Sequence, residues 1–305
     1  MNCSNIVWCV AALTAGTVGG AERLAPGNHV RTLRVGEIER TYRVHVPAQY
    51  DAASAVPVVV CFHGAVTNGP LTSLYTQLDD KADQAGFVAA YPNGTGANRL
   101  LLTWNSGGIP SQLPEAQRDD VRFTRLLLDD LESVLNVDKK RVFATGLSNG
   151  GMMSYRLAVE LPDRIAAIAS VAGCLALPNP RPTRRVPILE IHGTEDRLVP
   201  WNGLGLGPFQ LRSVDETIDF WVRHNGCDPQ GIVEPLPDKE QDGTTCTRTT
   251  YAAGVDGADV VLITITGGGH TWPGSPYDVK FLGPTTKDFD ANDAIWDFFE
   301  KHPRK

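Results

Sequence analysis

The sequence predicts an α/β protein with a mainly parallel central sheet, helices on both faces of the sheet, and an N-terminal β-hairpin. Two observations support this fold class. Solid apolar runs of strand length, such as PVVVCF at 57–62, recur along the chain, and such runs are expected of parallel strands buried on both faces. Stretches with helical spacing of apolar residues separate these runs, and alternation of this kind indicates a parallel sheet.

The elements follow one another in a regular order. Two short alternating runs around Gly36-Glu37 predict the N-terminal hairpin. The helix at 121–135 is the clearest of its kind, because Leu127, Leu131 and Leu135 share one face. The predicted strands are 29–35, 40–46, 57–62, 87–91, 141–147, 165–172, 186–191 and 260–266, and the predicted helices are 74–85, 121–135, 151–160, 214–224 and 290–299.

Length and charge limit the kind of protein. A chain of 305 residues has room for two domains, but no repeat, linker or change of composition divides it, so we expect one domain over 22–305. The 28 Lys and Arg against 35 Asp and Glu give a net charge of −7, which argues against a nucleic-acid partner. No apolar run reaches the roughly 18–20 residues of a membrane span. The pattern gives no indication of oligomeric state.

The first 21 residues have the features of an export signal. An apolar run, IVWCVAALTA at 6–15, is followed by Gly19 and Ala21 in a small-x-small cleavage pattern. We therefore expect a signal peptide at 1–21 and a secreted protein, extracellular or periplasmic. The segment before the run lacks Lys and Arg. A start site placed too early, giving a disordered tail, is the alternative.

The cysteines fit an oxidising compartment. Cys227 and Cys246 enclose a short polar stretch and are the natural disulfide pair there, with two free surface thiols as the alternative. Cys61 and Cys174 lie in apolar segments, so we expect both to be small buried residues. No Cys/His spacing resembles a zinc site.

The most informative segment is ATGLSNGG, between a predicted strand and a predicted helix. It contains Gly146-x-Ser148-x-Gly150, the pattern of a nucleophile elbow, in the strand–turn–helix context that such an elbow requires. The glycines remove side chains that would clash in a sharp turn. The dipole of the following helix favours negative charge near Ser148, as develops during acyl transfer.

A serine nucleophile needs a base and an acid that orients the base. In this architecture they follow the serine in the order acid, then histidine, in loops after later strands. Those loops contain Asp196 and His270. Glu195 competes for the role of the acid, but we favour Asp196. His192 stands at a strand end and is expected to be a structural hydrogen-bonding residue.

An oxyanion hole is expected from two backbone N–H groups. One is that of Asn149, directly after the nucleophile, and the other comes from the loop after the strand at 57–62. Ala65 is the first choice for this second donor and Gly64 the alternative. A tight turn without a catalytic role is the simpler interpretation of His63-Gly64.

Several of these segments together resemble one family. The secreted polyhydroxybutyrate depolymerase-like and feruloyl esterase-like serine esterases are similar to this chain in the pieces FHGA, DDVRFTRLLLDDL, RVFATGLSNGGMMSYRLA, HGTEDRLVPW and GGGHTWPG. The resemblance implies an α/β-hydrolase fold, a triad of Ser148, Asp196 and His270, and no metal or organic cofactor. The family often has Cys or Gly where Ala65 stands, which barely affects a backbone donor.

The substrate that this resemblance implies is an ester, small or polymeric. Feruloyl or acetyl esters of plant polysaccharide are the first expectation, and polyhydroxybutyrate or another polyester is the alternative. Trp104, Trp201 and Trp272 are expected to gather around the serine, where aromatic walls suit a phenolic acyl group or a polyester chain. A peptidase on the same fold and a non-catalytic binding protein are the remaining hypotheses.

Overall fold

The computed structural model describes residues 23–96, 98, 100–107, 119–206, 209–252 and 257–305. The expected signal peptide at 1–21 lies outside these ranges. Within them, no helix combines the length and apolar character needed to cross a bilayer.

Fourteen strands and six helices make up the described fold. The strands are β1 Gly27–Val35, β2 Ile38–Val46, β3 Val56–Phe62, β4 Val88–Pro92, β5 Thr95–Gly96, β6 Leu102–Thr103, β7 Val137–Leu147, β8 Ile168–Val171, β9 Ile188–Gly193, β10 Leu204–Leu206, β11 Phe209–Leu211, β12 Ile232–Pro235, β13 Thr245–Tyr251 and β14 Val260–Thr266. The helices are α1 Gly69–Thr76, α2 Leu78–Ala85, α3 Asp120–Val134, α4 Asn149–Glu160, α5 Val214–Asn225 and α6 Ala291–Lys301.

One ten-stranded sheet runs through the molecule in the order β1-β2-β4-β3-β7-β8-β9-β14-β13-β12. Its six central strands, β4 to β14 in that order, are all parallel, and two antiparallel strands extend it at each edge. The predicted mainly parallel sheet is therefore confirmed. The carboxyl ends of the parallel strands share one edge, where α/β sheets place their ligands.

Helices cover both faces of the sheet, as predicted. On one face α3, α4 and α5 bury large side chains such as Leu127, Tyr155 and Trp221. On the other face α2 and α6 bury Leu78, Trp296 and Phe299. Solid apolar strands such as β3, buried at every position, are explained by this double coverage.

The predicted N-terminal hairpin is formed by β1 and β2, which pair from Gly27↔Val46 to Val35↔Ile38. Its two-residue turn begins at Gly36, whose φ of 62° is in the left-handed region that glycine tolerates. A buried ion pair between Arg40 and Asp120, 2.8 Å apart, fastens the hairpin to the start of α3.

Three features differ from the predicted elements. The helix expected at 74–85 is two helices, because Gln77 adopts a left-handed φ of 54° between α1 and α2. The edge strands β12 and β13 were not predicted, since β12 is only four residues long and exposed throughout, and β13 is rich in polar residues. The pair β10 and β11 forms a separate small hairpin between β9 and α5.

Candidate active site

Ser148 occupies the sharp turn between β7 and α4. Its φ of 58° and ψ of −121° are unusual for a residue with a side chain, and such a conformation costs about 1–3 kcal/mol. The backbone holds the turn in place, because Ser148 N–H donates to Val171 O (2.8 Å) and Ser148 O accepts from Met152 N–H (2.9 Å). The geometry is that of a nucleophile elbow.

The two glycines of the elbow are required by the neighbouring strand. A Cβ atom placed on Gly146 would lie 2.5 Å from the carbonyl oxygen of Phe62, at the end of β3, and one on Gly150 would lie closer still. Backbone atoms of a central strand cannot move away cheaply. The G-x-S-x-G spacing is therefore explained by the packing of β3 against the turn.

Asp196 and His270 meet at the ends of β9 and β14. His270 Nδ1 lies 2.7 Å from Asp196 Oδ2, and both residues are 4% exposed. The other carboxylate oxygen, Oδ1, accepts the N–H groups of Leu198 and Val199, each at 2.8 Å. Three hydrogen bonds therefore fix the orientation of this carboxylate, and the imidazole is fixed by it.

Backbone contacts join the two loops that carry this pair. Glu195 N–H donates to Gly268 O (2.9 Å), while its side chain is exposed. His270 N–H donates to Leu282 O (2.6 Å), which ties the histidine loop to a short 3-10 helix at Lys280–Leu282. The structure therefore brings the side chain of Asp196, and not that of Glu195, to His270.

The loop after β3 lies next to Ser148. A Cβ atom on Gly64 would lie 3.7 Å from Ser148 Cβ, and both Gly64 and Ala65 line the same cleft as Ser148. Asn149, the other expected donor, is the first residue of α4. Its buried side chain accepts from Trp104 N–H (2.7 Å) and donates to Ser106 Oγ (2.9 Å).

His63 stabilises this loop, a role that the motif alone does not reveal. Its Nδ1–H donates to Gly64 O (2.7 Å), and its Nε2 accepts from Gly94 N–H (2.9 Å). The residue is completely buried, and burial lowers the pKa of its imidazole to about 4. A neutral ring with one donor and one acceptor therefore supports the predicted oxyanion loop.

A cleft of about 840 Å³ opens above Ser148 and His270. Apolar side chains from α1, the loop after β9 and the region of the short 3-10 helix form most of its walls. Several of these side chains are also exposed at the rim, including Phe281 at 77% and Leu71 at 51%. The described apolar and aromatic side chains that line it are Val66, Leu71, Leu74, Tyr75, Leu147, Met152, Leu198, Val199, Leu204, Leu211, Tyr277, Val279, Phe281 and Leu282.

The structure contradicts the prediction that Trp104, Trp201 and Trp272 form walls of the cleft. Trp104 and Trp272 are 1% and 0% exposed, and their indole N–H groups donate to His63 O (2.9 Å) and Asn292 Oδ1 (3.3 Å). Trp201 packs edge-on against His192 with ring centroids 6.0 Å apart. None of the three is among the described residues that line the cleft, because each side chain packs against other residues of the protein instead.

The predicted disulfide between Cys227 and Cys246 is wrong for this structure, where both residues are free thiols. Cys227 packs in the cluster on one face of the sheet, and Cys246 packs in the cluster on the other face. The sheet itself lies between the two sulfur atoms. Cys61 and Cys174 are buried, as expected, and burial raises the pKa of both thiols.

The sequence is similar to a known family and to known proteins. Residues 50–205 match the family described as Phospholipase/Carboxylesterase. A protein of Nocardia uniformis subsp. tsuyamanensis named "Putative esterase NocK" is 34% identical over 277 residues, which cover 85% of this chain and 78% of that protein. The chain belongs to the phospholipase/carboxylesterase family.

Further relatives of this phospholipase/carboxylesterase family member carry esterase names. Feruloyl esterase B of Piromyces equi is 30% identical, over 74% of this chain but 42% of that protein. The solved acetyl xylan esterase from Aspergillus awamori has a TM-score of 0.61 at 16% identity, covering 90% of this chain and 99% of that chain. The likeness to this solved structure shows that the chain has the α/β-hydrolase fold. The relatives show that it is a carboxylic-ester hydrolase.

Among the described residues of this family member, no cluster of three or more His, Cys, Asp or Glu side chains is arranged to hold a metal ion. The titratable groups of the site are arranged instead as hydrogen-bonded pairs. The arrangement suits proton transfer at a serine hydroxyl, because an oriented imidazole stands at the wall of the cleft that contains Ser148.

Proposed function

We propose that the protein is a serine carboxylesterase that works through an acyl-enzyme, with Ser148 as nucleophile, His270 as base and Asp196 as the orienting acid. The observation that carries the proposal is the 2.7 Å hydrogen bond between His270 Nδ1 and Asp196 Oδ2 at the wall of the cleft that contains Ser148. The bond requires Nδ1 to carry the proton while Asp196 is ionised. Nε2 is then free to accept a proton from a serine hydroxyl.

The proposed reaction has two steps. In the first, Ser148 Oγ forms a bond to the ester carbonyl carbon as its proton passes to His270 Nε2, and the C–O bond to the alcohol breaks as that proton passes to the alcohol. In the second, water gives a proton to His270 and attacks the acyl-enzyme, and the acid leaves as Ser148 regains its proton. The backbone N–H groups of Asn149 and Ala65 are proposed to hold the oxyanion, and removing one such donor typically costs about 3 kcal/mol.

Feruloyl or acetyl esters of plant polysaccharide are the proposed natural substrates. The names of the similar proteins support this class, since they include a feruloyl esterase and an acetyl xylan esterase. The apolar run at 6–15 supports secretion, which would bring the enzyme to a polymer outside the cell. We propose residues 22–305 as a single catalytic domain.

A specific observation favours an aliphatic polyester as the second candidate. The described cleft is walled mainly by aliphatic side chains, and its rim exposes Leu71, Leu74 and Phe281. A feruloyl group carries a phenol and a methoxy group that need polar partners, whereas a hydroxyalkanoate chain exposes mostly CH₂ and CH₃ groups. The walls thus fit an aliphatic acyl chain at least as well as an aromatic acid.

A release assay on methyl ferulate, acetylated xylan and polyhydroxybutyrate tests both the reaction and the substrate. We expect the wild-type protein to release acid from at least one of them, and Ser148→Ala to release none above background. Ser133→Ala is the matched control, because Ser133 is exposed on α3 and is not among the residues that line the cleft. Equal activity of Ser148→Ala and wild type would overturn the proposal. Release from polyhydroxybutyrate alone would favour the second candidate.

A further inference from the structure

A second imidazole lies beside the carboxylate of Asp196. His192 is the next-to-last residue of β9 and precedes the loop that contains Asp196, here called the acid loop. It is 1% exposed, and its Nε2 lies 3.5 Å from Asp196 Oδ2. This is the oxygen that also lies 2.7 Å from His270 Nδ1. The carboxylate oxygen that faces the proposed base is therefore flanked by two imidazoles, one of which has no part in the reaction described above.

Both ring nitrogens of His192 have fixed partners. Nε2 lies 2.9 Å from the carbonyl oxygen of Val199, and Nδ1 lies 2.8 Å from Glu190 Oε1. A carbonyl oxygen only accepts, so Nε2 must carry a proton. The carboxyl of Glu190 and Nδ1 share one further proton. Wherever that proton resides, Nε2–H points toward Val199 and the acid loop.

Glu190 is itself held in position. It is 1% exposed, and its second oxygen accepts from Tyr155 Oη–H at 2.9 Å. Burial raises the pKa of the Glu190 carboxyl. Burial opposes the charged form of His192, but the hydrogen bond and charge of Glu190 raise the pKa of the imidazole overall. Because both pKa values are raised, the shared proton stays on the Glu190–His192 pair near neutral pH.

We propose that His192, oriented by Glu190, is a positioning residue for the catalytic carboxylate. Its Nε2–H holds the carbonyl of Val199, whose own N–H donates to Asp196 Oδ1. The hydrogen bonds of Val199 and Leu198 to Oδ1 leave Oδ2 for His270. The inference rests on the proposed triad. It adds a series of buried contacts that runs from α4, through β9, to the carboxylate and the base.

The N–H of His192 has a second effect, which is electrostatic. This N–H donates to Val199 O, but Nε2 also lies 3.5 Å from Asp196 Oδ2, so its partial positive charge is close to a carboxylate oxygen that is almost removed from water. Asp196 is therefore supported by the nearby His192 as well as by its hydrogen bond to His270. Support of this kind acts on the orientation of His270 in the transition state and makes no contact with substrate.

Two substitutions at one position test the proposal. His192→Leu removes both ring nitrogens at similar volume, and His192→Gln restores an N–H that reaches toward Val199. For His192→Leu we expect kcat to fall roughly 10- to 100-fold with KM nearly unchanged, because a displaced base affects the transition state rather than binding. For His192→Gln we expect most of that loss to be recovered.

Proton NMR gives a readout that packing alone does not change. The low-field resonance of the His270 Nδ1 proton should broaden or shift in His192→Leu and remain close to wild type in His192→Gln. If His192→Leu does not fold at the assay temperature, His192→Gln decides by itself. A folded His192→Gln variant with a large loss of kcat and an altered resonance would overturn the proposal.

The remaining outcomes separate this inference from the proposed function. A folded His192→Leu variant with wild-type kcat and an unchanged resonance would overturn the positioning role while Ser148→Ala stays inactive. Parallel changes in kcat and KM, without recovery in His192→Gln, would show a merely structural residue and would also overturn it. Full turnover by Ser148→Ala would instead remove the triad on which the inference rests.

Discussion

Asp196 and Glu195 are neighbours in the sequence, yet only one of them is shielded from water. Asp196 is 4% exposed and accepts three hydrogen bonds, whereas the side chain of Glu195 is exposed. A carboxylate in water gains little from one more hydrogen bond, while a buried one that is fully bonded has a single orientation. At the scale of the residue, burial therefore decides which acid can orient His270.

This contrast predicts a large difference between two amide substitutions. Asp196→Asn keeps the shape of the side chain but favours the wrong tautomer of His270, so we expect kcat to fall about 10³- to 10⁴-fold. Glu195→Gln should leave kcat within about twofold of wild type, because the exposed side chain has no part in orienting the base. Steady-state hydrolysis of a chromogenic ester measures both, and equal effects would contradict the assignment.

At the scale of the element, the close packing of β3 against the turn between β7 and α4 determines the elbow. The carbonyl oxygen of Phe62 occupies the space where side chains of Gly146 and Gly150 would lie. The strained backbone of Ser148 persists because β7 and α4 hold the turn from both sides. The position of the proposed nucleophile is thus a property of three packed elements rather than of one loop.

A methyl group at Gly150 should be costly for this reason. We expect Gly150→Ala to lower the free energy of unfolding by about 1–3 kcal/mol and to reduce esterase activity, since β3 or the elbow must shift. Gly205→Ala is the control, because a Cβ atom there meets no atom within 4 Å. Chemical denaturation with a parallel activity assay measures both effects. A Gly150→Ala variant as stable and active as Gly205→Ala would contradict this account.

Elements buried in the sheet were predictable from the sequence, and elements shaped by contacts between distant segments were not. β3 and β14 are apolar at nearly every position, so their patterns identified them. The exposed strand β12 carries no such pattern, and its pairing depends on β13. The left-handed Gln77 that divides α1 from α2 likewise has no glycine or proline to mark it.

The candidate site shows the same division. Ser148, Asp196 and His270 could be selected as candidates from the sequence because the elbow pattern and the order of later loops limit the choice. The positions of Trp104 and Trp272 were mispredicted, since a loop tryptophan gives no sign of whether it faces a cleft or packs beneath it. His192 was predicted only as a structural hydrogen-bonding residue, and its buried partner Glu190 was missed, because a carboxylate within an apolar strand gives no sign of which side chain it contacts.

At the scale of the whole molecule, burial of a neutral histidine links stability to pH. His63 has an ordinary pKa of 6.5 and a folded pKa of about 4. Between these values the unfolded chain binds a proton that the folded chain does not. The free energy of unfolding therefore falls as the pH falls from 6.5 toward 4, and this one group contributes a loss on the order of 3 kcal/mol.

Replacing His63 should change the slope of this dependence. We expect His63→Gln to be less stable than wild type near pH 7, because it loses part of the bonding to Gly64 and Gly94. Its stability should then fall less steeply below pH 6.5, by up to about 1.4 kcal/mol per pH unit. Urea denaturation at a series of pH values measures both curves. Parallel curves would contradict a neutral buried His63.

The central claim is that the sheet, the elbow and the two loops together make Ser148 the reactive group of the molecule. The most direct test is labelling with a fluorophosphonate probe, followed by intact-mass measurement and peptide mapping. We expect a single adduct on Ser148 in the wild-type protein and none in Ser148→Ala. Equal labelling of the two proteins, or an adduct on another residue, would contradict it.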